Sequence, residues 1–290
     1  MPRCCVRIGL MAKSFQRVAI IGLGLIGGSM AARIRSRYPS IDIFGIDLDG
    51  SAIQFALDMG WISGGYTEIE DSPSDIDLAI VCTPISTVRE MIDAMSNHCQ
   101  SSMLITDVAS VKQCFSDVRL RSEHCYVGGH PMAGRDVSGI RHASAELLEG
   151  CVYVLIPVIH VLYDEFHAWM TGLGVHIIEM AADQHDQLAA MSSHVPYLVA
   201  SAMVSASSSV ESTQLMSSGY RDMTRIAGHD PHWGRDVCMT NTTAVLDGLK
   251  KVRDDIDSLI QLLNSNDAIG LTRYLEQAQL FRHQLKSQLD

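Results

Sequence analysis

Basic residues are scarce in this 290-residue chain, which has 22 Lys and Arg against 33 Asp and Glu and a formal charge of −11. The deficit argues against a nucleic-acid partner, which needs a clustered cationic face. No run of like charges marks an interaction tail. Charged residues make up only 19% and aromatics 6%, while apolar residues reach 47%, which excludes disorder as the main state and allows a packed core. No C-x-x-C pair occurs among Cys4, Cys5, Cys82, Cys99, Cys114, Cys125, Cys151 and Cys238. Zinc-ribbon spacing is therefore absent, and the thiols read as small buried hydrophobes of a reducing, cytoplasmic protein. The first residues lack an apolar run long enough for a secretory signal; residues 1–16 read as a loose extension, with Met11 a possible alternative start. Residues 187–210 contain no Asp, Glu, Lys or Arg. That is long enough to cross a bilayer, but Gln187, His194, Pro196 and seven serines would be penalised in hydrocarbon. The stretch reads as a buried helix at a subunit interface, with no membrane partner.

Short apolar runs alternate with amphipathic stretches over residues 17–180. Strands are expected at 17–21, 41–46, 77–82, 103–106, 125–129, 151–156 and 175–179. Helices are expected at 25–37, 51–59, 86–98, 111–120 and 162–172. Alternation of this kind argues a parallel α/β sheet. From 181 to 290 helix-period segments dominate, at 186–209, 236–264 and 267–287, interrupted by a polar region at 219–233. The chain thus reads as an α/β domain, 17–180, followed by an all-α domain, 181–290.

Gly22-Leu23-Gly24-Leu25-Ile26-Gly27 follows the first strand and opens the first helix. In that context G-x-G-x-x-G gains meaning: Gly22 permits a tight turn, Gly24 a close approach of pyrophosphate, and Gly27 close helix–sheet packing. Leu25 and Ile26 start the helix whose free N–H groups attract the anion. Asp47 ends the second strand, twenty residues after Gly27. A carboxylate there accepts from ribose hydroxyls and repels a 2′-phosphate, so NAD is expected rather than NADP, in a Rossmann-type dinucleotide-binding domain. Thr83 and Pro84, after the strand at 77–82, fall at the same crevice, where an ordinary strand-end turn is the bland alternative.

Thr106-Asp107-Val108-Ala109-Ser110-Val111-Lys112 and Gly128-Gly129-His130-Pro131-Met132-Ala133-Gly134 each follow a strand, so both should reach that crevice. Ser193-His194-Val195-Pro196-Tyr197 and Arg221-Asp222-Met223-Thr224-Arg225-Ile226-Ala227 lie in the helical half. With the glycine motif, these segments resemble, in order, those of the prephenate/arogenate dehydrogenase family of tyrosine biosynthesis, from about residue 17 to at least 245. The resemblance implies a Rossmann domain, a helical dimerisation domain, a homodimer, and NAD-dependent oxidative decarboxylation of prephenate to 4-hydroxyphenylpyruvate or of arogenate to tyrosine. It implies that His130 takes the ring hydroxyl proton, a task suited to neutral imidazole. Arg225 would hold a substrate carboxylate, with Asp222 either orienting it or engaging it in a simple salt bridge. Ser110 resembles the family's small hydrogen-bonding residue and could also cap a helix. His194 matches a second polar site residue, with a satisfied core histidine as its alternative. Tyr197 stands where many relatives have histidine. Asp136 falls where relatives place an acid, and Asp107 and Asp47 fall beside the cofactor.

His229-Asp230-Pro231-His232 offers too few ligands for a metal, and none is expected. Few residues follow the last helix, so no appended regulatory ACT domain or fused chorismate mutase is expected. A β-hydroxyacid-type dehydrogenase would need a catalytic lysine in the helical half, where only Lys250, Lys251 and Lys286 occur, in charged settings. An inactive NAD-binding regulator would have lost His130 or Arg225, and both are present.

Overall fold

The computed structural model describes residues 15–135, 137–207 and 216–289. The expected extension over 1–16 lies almost wholly outside them, and Asp136 lies outside them too. The chain divides into two compact units at Asn241/Thr242. The second unit is the helix pair α9 (Thr242–Asn264) and α10 (Ala268–Leu289).

The first unit is built on a six-stranded sheet: β1 (Arg17–Ile21), β2 (Asp42–Ile46), β3 (Gly64–Tyr66), β4 (Leu78–Val81), β5 (Met103–Asp107) and β6 (His124–Val127), ordered β3-β2-β1-β4-β5-β6. Every pairing is parallel. Crossover helices α1 (Leu25–Arg37), α2 (Gly50–Asp58) and α3 (Ile85–His98) cover the faces, which is why β4 and β5 are buried at every position and why β4 reads as an unbroken apolar run. Strand order reverses between β1 and β4. Ligands bind beyond the carboxyl ends of strands at such a switch point.

A second sheet follows, ordered β7 (Gly129–Pro131), β8 (Val152–Leu155), β9 (His176–Glu179), with α4 (Val161–Gly172) joining the last two. β7 runs antiparallel to β8. The strand expected over 125–129 is therefore two strands. Gly128 breaks it, its carbonyl accepting from the Ile156 amide at 2.9 Å. At Gly129 a Cβ would fall 2.8 Å from both the Asp107 carbonyl and the Tyr153 hydroxyl, so only glycine lets the chain pass this close to β5. His130 comes next, opposite Val154.

The helix expected over 111–120 does not form. One 3₁₀ turn, Gln113–Phe115, stands there. The amides of Lys112 and Gln113 go instead to the Asp186 carboxylate, at 2.7 and 2.9 Å. Ser110 accordingly has no α-helix to cap. After β9 come α5 (Ala182–Ala189), a π turn (Ala190–His194), α6 (Val195–Ala206), α7 (Ser218–Thr224), a 3₁₀ turn (Arg225–Gly228) and α8 (Pro231–Thr240). Pro196 has no N–H to give the carbonyl four residues back, and the π turn lies where the ladder must reset. The helix expected over 236–264 is interrupted at Asn241, which ends α8 and turns its side chain inward.

Gly27 sets how closely α1 approaches β1. A Cβ there would lie 1.8 Å from the Gly22 carbonyl oxygen. Glycine to alanine normally stabilises a helix by about 1 kcal/mol, but here the sign reverses. Gly27→Ala is expected to destabilise the protein by about 1–3 kcal/mol through overpacking, read as a lower urea midpoint. An unchanged or raised midpoint would show that the contact can relax.

Candidate active site

The crevice between β1 and β4 has the features of an anion and ribose cradle. Gly22 adopts φ 92°, and a Cβ on it would strike the Cys82 carbonyl carbon at 2.8 Å. Gly24 has open space where its Cβ would be, and it precedes α1 with no side-chain cap and no acid in the helix's first turn. Leu25 and Ile26 form that turn, and its free N–H groups are left for a phosphate. Asp47 accepts from the Leu23 amide at 2.6 Å through Oδ2 and from the Asp49 amide at 2.8 Å through Oδ1. It locks the glycine turn to the end of β2 and keeps further lone pairs for hydroxyls. Pro84 precedes α3. The Thr83 hydroxyl oxygen is buried and, among the described residues, has no protein partner. An orphaned hydroxyl, an uncapped helix and a strand-end carboxylate together fit a dinucleotide.

Asp107 behaves differently from the other cofactor-side candidates. It is wholly buried. Its Oδ1 accepts from the Ala109 amide at 2.8 Å and pairs with the Lys112 ammonium, and Oδ2 accepts from Tyr126 Oη at 2.6 Å. Its side chain serves the interior rather than the crevice. Lys112, equally buried, also donates to the Gly129 carbonyl at 2.7 Å. Through that carbonyl the pair is bonded to the strand that carries His130.

His130 Nδ1 lies 2.9 Å from His185 Nε2 on α5, and His185 Nδ1 lies 2.7 Å from Asp186 Oδ1. Burial first, then the Lys112 ammonium and the imidazoles of His185 and His194, hold the His130 pKa well below the ordinary imidazole value, so the free base predominates at neutral pH. His194 sits in the π turn, wholly buried. Burial pushes its pKa down to about 4. Asn241 Nδ2 donates to the Asp186 carbonyl at 2.7 Å and approaches His194 Nδ1 at 3.4 Å. Nδ1 therefore accepts, and Nε2 carries the proton. That Nε2 is buried with no protein partner among the described residues, a donor awaiting an acceptor.

Tyr197 stacks on His229 at 6.4 Å and meets Trp233 edge-on at 5.8 Å, while Trp233 meets His194 edge-on at 6.5 Å. His229 is thus a stacking partner, and Asp230 caps α8 by accepting from the His232 amide at 2.8 Å, which gives that short motif a structural task. Arg225 opens the 3₁₀ turn that packs against α6, and Asp222 precedes it on α7; both are exposed. Ser110 is half-buried between Asp107 and Lys112 in sequence. The structure joins His130 and His194 through His185, Asp186 and Asn241. It leaves Arg225 and Asp222 on the neighbouring helical surface.

A family profile described as "Prephenate dehydrogenase, nucleotide-binding domain" matches residues 30–165, and one described as "Prephenate dehydrogenase, dimerization domain" matches 181–277. The prephenate dehydrogenase of Bacillus subtilis (strain 168) is 31% identical over 277 residues, covering 91% of this chain and 75% of that protein. The chain belongs to the prephenate dehydrogenase family. The cyclohexadienyl dehydrogenase of Zymomonas mobilis is 27% identical, with 95% of this chain and 98% of that protein covered. Among solved structures, Aquifex aeolicus prephenate dehydrogenase in complex with hydroxyphenyl propionate and NAD+ superposes with a TM-score of 0.84 at 27% identity, covering 94% and 99% of the two chains. Synechocystis arogenate dehydrogenase gives 0.79 at 28% identity, covering 92% and 99%.

Sequence reading did not single out His185, Asp186, Lys112, Tyr126 or Asn241 as members of this buried cluster. An adjacent His-Asp pair at the head of a stretch otherwise free of charge was the available signal. On the cofactor side, Asp47→Asn is expected to weaken NAD binding on the order of tenfold, the worth of a charge-assisted hydrogen bond, and to narrow discrimination against NADP. Titration of both dinucleotides by protein fluorescence checks this; unchanged affinities would confine Asp47 to holding the turn.

Proposed function

We propose that this chain is an NAD-dependent dehydrogenase that oxidatively decarboxylates prephenate, arogenate or both. The observation that carries the reading is His130: an imidazole kept neutral, held on the short strand β7 that follows β6, and backed by buried polar groups. The names of the relatives and the fit of the crevice support NAD as cofactor; when bound, it supplies the hydride acceptor. His130 takes the ring hydroxyl proton as carbonyl character develops at that carbon. The ring carboxylate leaves as carbon dioxide, its bonding pair enters the ring, and the phenolate recovers the proton that His130 held. Protons and electrons then balance without a metal or a covalent intermediate.

The remaining residues take supporting roles in this reading. His194 Nε2 offers its unpaired N–H to a substrate oxygen, since a buried donor left unmet costs about 1–3 kcal/mol. Arg225 binds a carboxylate as a planar fork, with Asp222 beside it and Tyr197 on the aromatic wall. Ser110 lies next to the reacting groups, and Thr83 and Pro84 line the crevice. We place the boundary between the cofactor-binding and substrate-binding parts near residue 180, where the strands end.

The reading extends to a cytoplasmic homodimer. Ala182–Ala206 is long and apolar enough to cross a membrane, at mean hydropathy 1.2, but only 28% of its most apolar window is buried within this chain. Leu188, Met191, Met203 and Val204 are exposed along it. His185, Asp186 and His194 on the same stretch are held by polar partners. A second copy covers such a face better than lipid does.

Purified protein given NAD and either cyclohexadiene should produce reduced cofactor, followed by absorbance; turnover of neither overturns the assignment. His130→Asn should lower kcat by about 100-fold or more with little change in KM, as expected for a group acting in the transition state. Arg225→Gln should chiefly raise KM, and an unaltered KM would restrict Arg225 to surface pairing. The pH profile carries its own sign. His130 is active unprotonated and its pKa is lowered, so the acid limb of kcat/KM should fall below pH 6.5. A limb above that value would remove His130 as the group reported.

A further inference from the structure

Asp186 is an acceptor on both oxygens. Oδ1 receives the Lys112 amide at 2.7 Å and Oδ2 the Gln113 amide at 2.9 Å. An ionised carboxylate has no proton to give. The 2.7 Å contact between Oδ1 and His185 Nδ1 therefore carries its proton on Nδ1. A neutral imidazole holds one N–H, so Nε2 of His185 is a lone pair. That lone pair lies 2.9 Å from His130 Nδ1. Two lone pairs do not share a contact of that length, which puts the His130 proton on Nδ1 and leaves Nε2 bare.

We propose that the proton acceptor of this enzyme is a chain, His130–His185–Asp186, in which Asp186 sets the tautomers of two imidazoles in succession and so aims the open lone pair of His130 at the substrate. The proposal rests on the reading of His130 as the group that takes the hydroxyl proton. His185 and Asp186 are positioning residues in it, since neither touches the reacting atoms.

The surroundings suit that task. His185 is 3% and Asp186 4% exposed, so water does not compete for either contact. The two imidazoles meet at 76° with centroids 5.1 Å apart, an edge-on approach that directs one ring's N–H at the other's nitrogen. Asn241 binds the Asp186 carbonyl, fixing the backbone that carries the carboxylate. Lys112, paired with Asp107 and bonded to the Gly129 carbonyl, faces the His130 side; His194 is the other titratable neighbour.

The consequence for the reaction is explicit in protons. The hydroxyl proton arrives on His130 Nε2, making an imidazolium that still donates Nδ1–H to His185. If that second proton moves across to His185 Nε2, the positive charge lies against the Asp186 carboxylate. The reverse movement returns a proton to the phenolate oxygen after carbon dioxide leaves. No proton is gained or lost, and the buried carboxylate stabilises the positive charge at either ring.

The test uses the full-length protein labelled with 15N at histidine, with His130 assigned by comparison with His130→Asn. The expected spectrum has Nδ1 of His130 protonated and Nε2 bare. A protonated Nε2 in the wild-type protein overturns the proposal, because it means a doubly protonated His185 donating the other way. Kinetics supply the second arm. His185→Leu removes the acceptor, and kcat is expected to fall about 100-fold with KM within about threefold. His185→Gln keeps an amide oxygen able to receive the His130 N–H and should recover most of that loss. Wild-type kcat in His185→Leu, alongside an inactive His130→Asn, also overturns the chain. Should the leucine variant fail to fold, the glutamine variant and the wild-type spectrum still decide. An inert wild-type protein would sink the functional reading alone, since the spectrum needs no substrate.

Discussion

The Asp186 carboxylate spans 74 positions of sequence to bind the Lys112 amide, and much of the site hangs on that contact. It ties the first helix after the sheets to the loop leaving β5. Its second oxygen takes the next amide, its own backbone carbonyl takes Asn241, and His185 hydrogen-bonds to it. Leaving such a buried group without its partners costs about 3–5 kcal/mol. The same energy that docks α5 therefore also orients the imidazole chain that leads to His130.

A second buried pair operates from the sheet side. Lys112 and Asp107 neutralise each other, and Tyr126 completes the carboxylate's partners. Lys112 reaches the Gly129 carbonyl, which anchors the strand that carries His130. A cation this close opposes a second positive charge on the imidazole, and burial acts in the same direction. The site thus favours the free base at His130 and holds the Asp186 carboxylate two side chains away. Across the crevice the order is inverted. The uncapped start of α1 is positive in character, and Asp47 is placed where hydroxyls rather than phosphate belong.

Legibility in the sequence followed the range of the interactions. The glycine turn, five of the six strands of the main sheet and the helices α1, α2 and α3 were readable because each depends on residues close in sequence: Gly27 against Gly22, and the unbroken apolar run of β4; the three-residue strand β3, Gly64-Gly65-Tyr66, carries no apolar run and was not expected. His130 and His194 were singled out because their segments are short and resemble a known family, and the structure brings the two into one buried cluster. The helix expected over 111–120 had acceptable apolar spacing, but its first amides were claimed by a carboxylate from another part of the chain. The strand expected over 125–129 had the right composition, yet Gly128 handed the chain to a second sheet. Lys112 follows a strand, and nothing local marks it as buried.

From the sequence alone came the class of fold, the dinucleotide turn and the family, because these rest on spacing, on residue chemistry and on backbone geometry that neighbouring residues determine. The tertiary structure decided which nitrogen of which imidazole meets which partner, that a lysine and two aspartates are interior, and where helices stop. Those outcomes depend on hydrogen bonds closed between segments dozens of residues apart, with solvent excluded, and no local pattern encodes them.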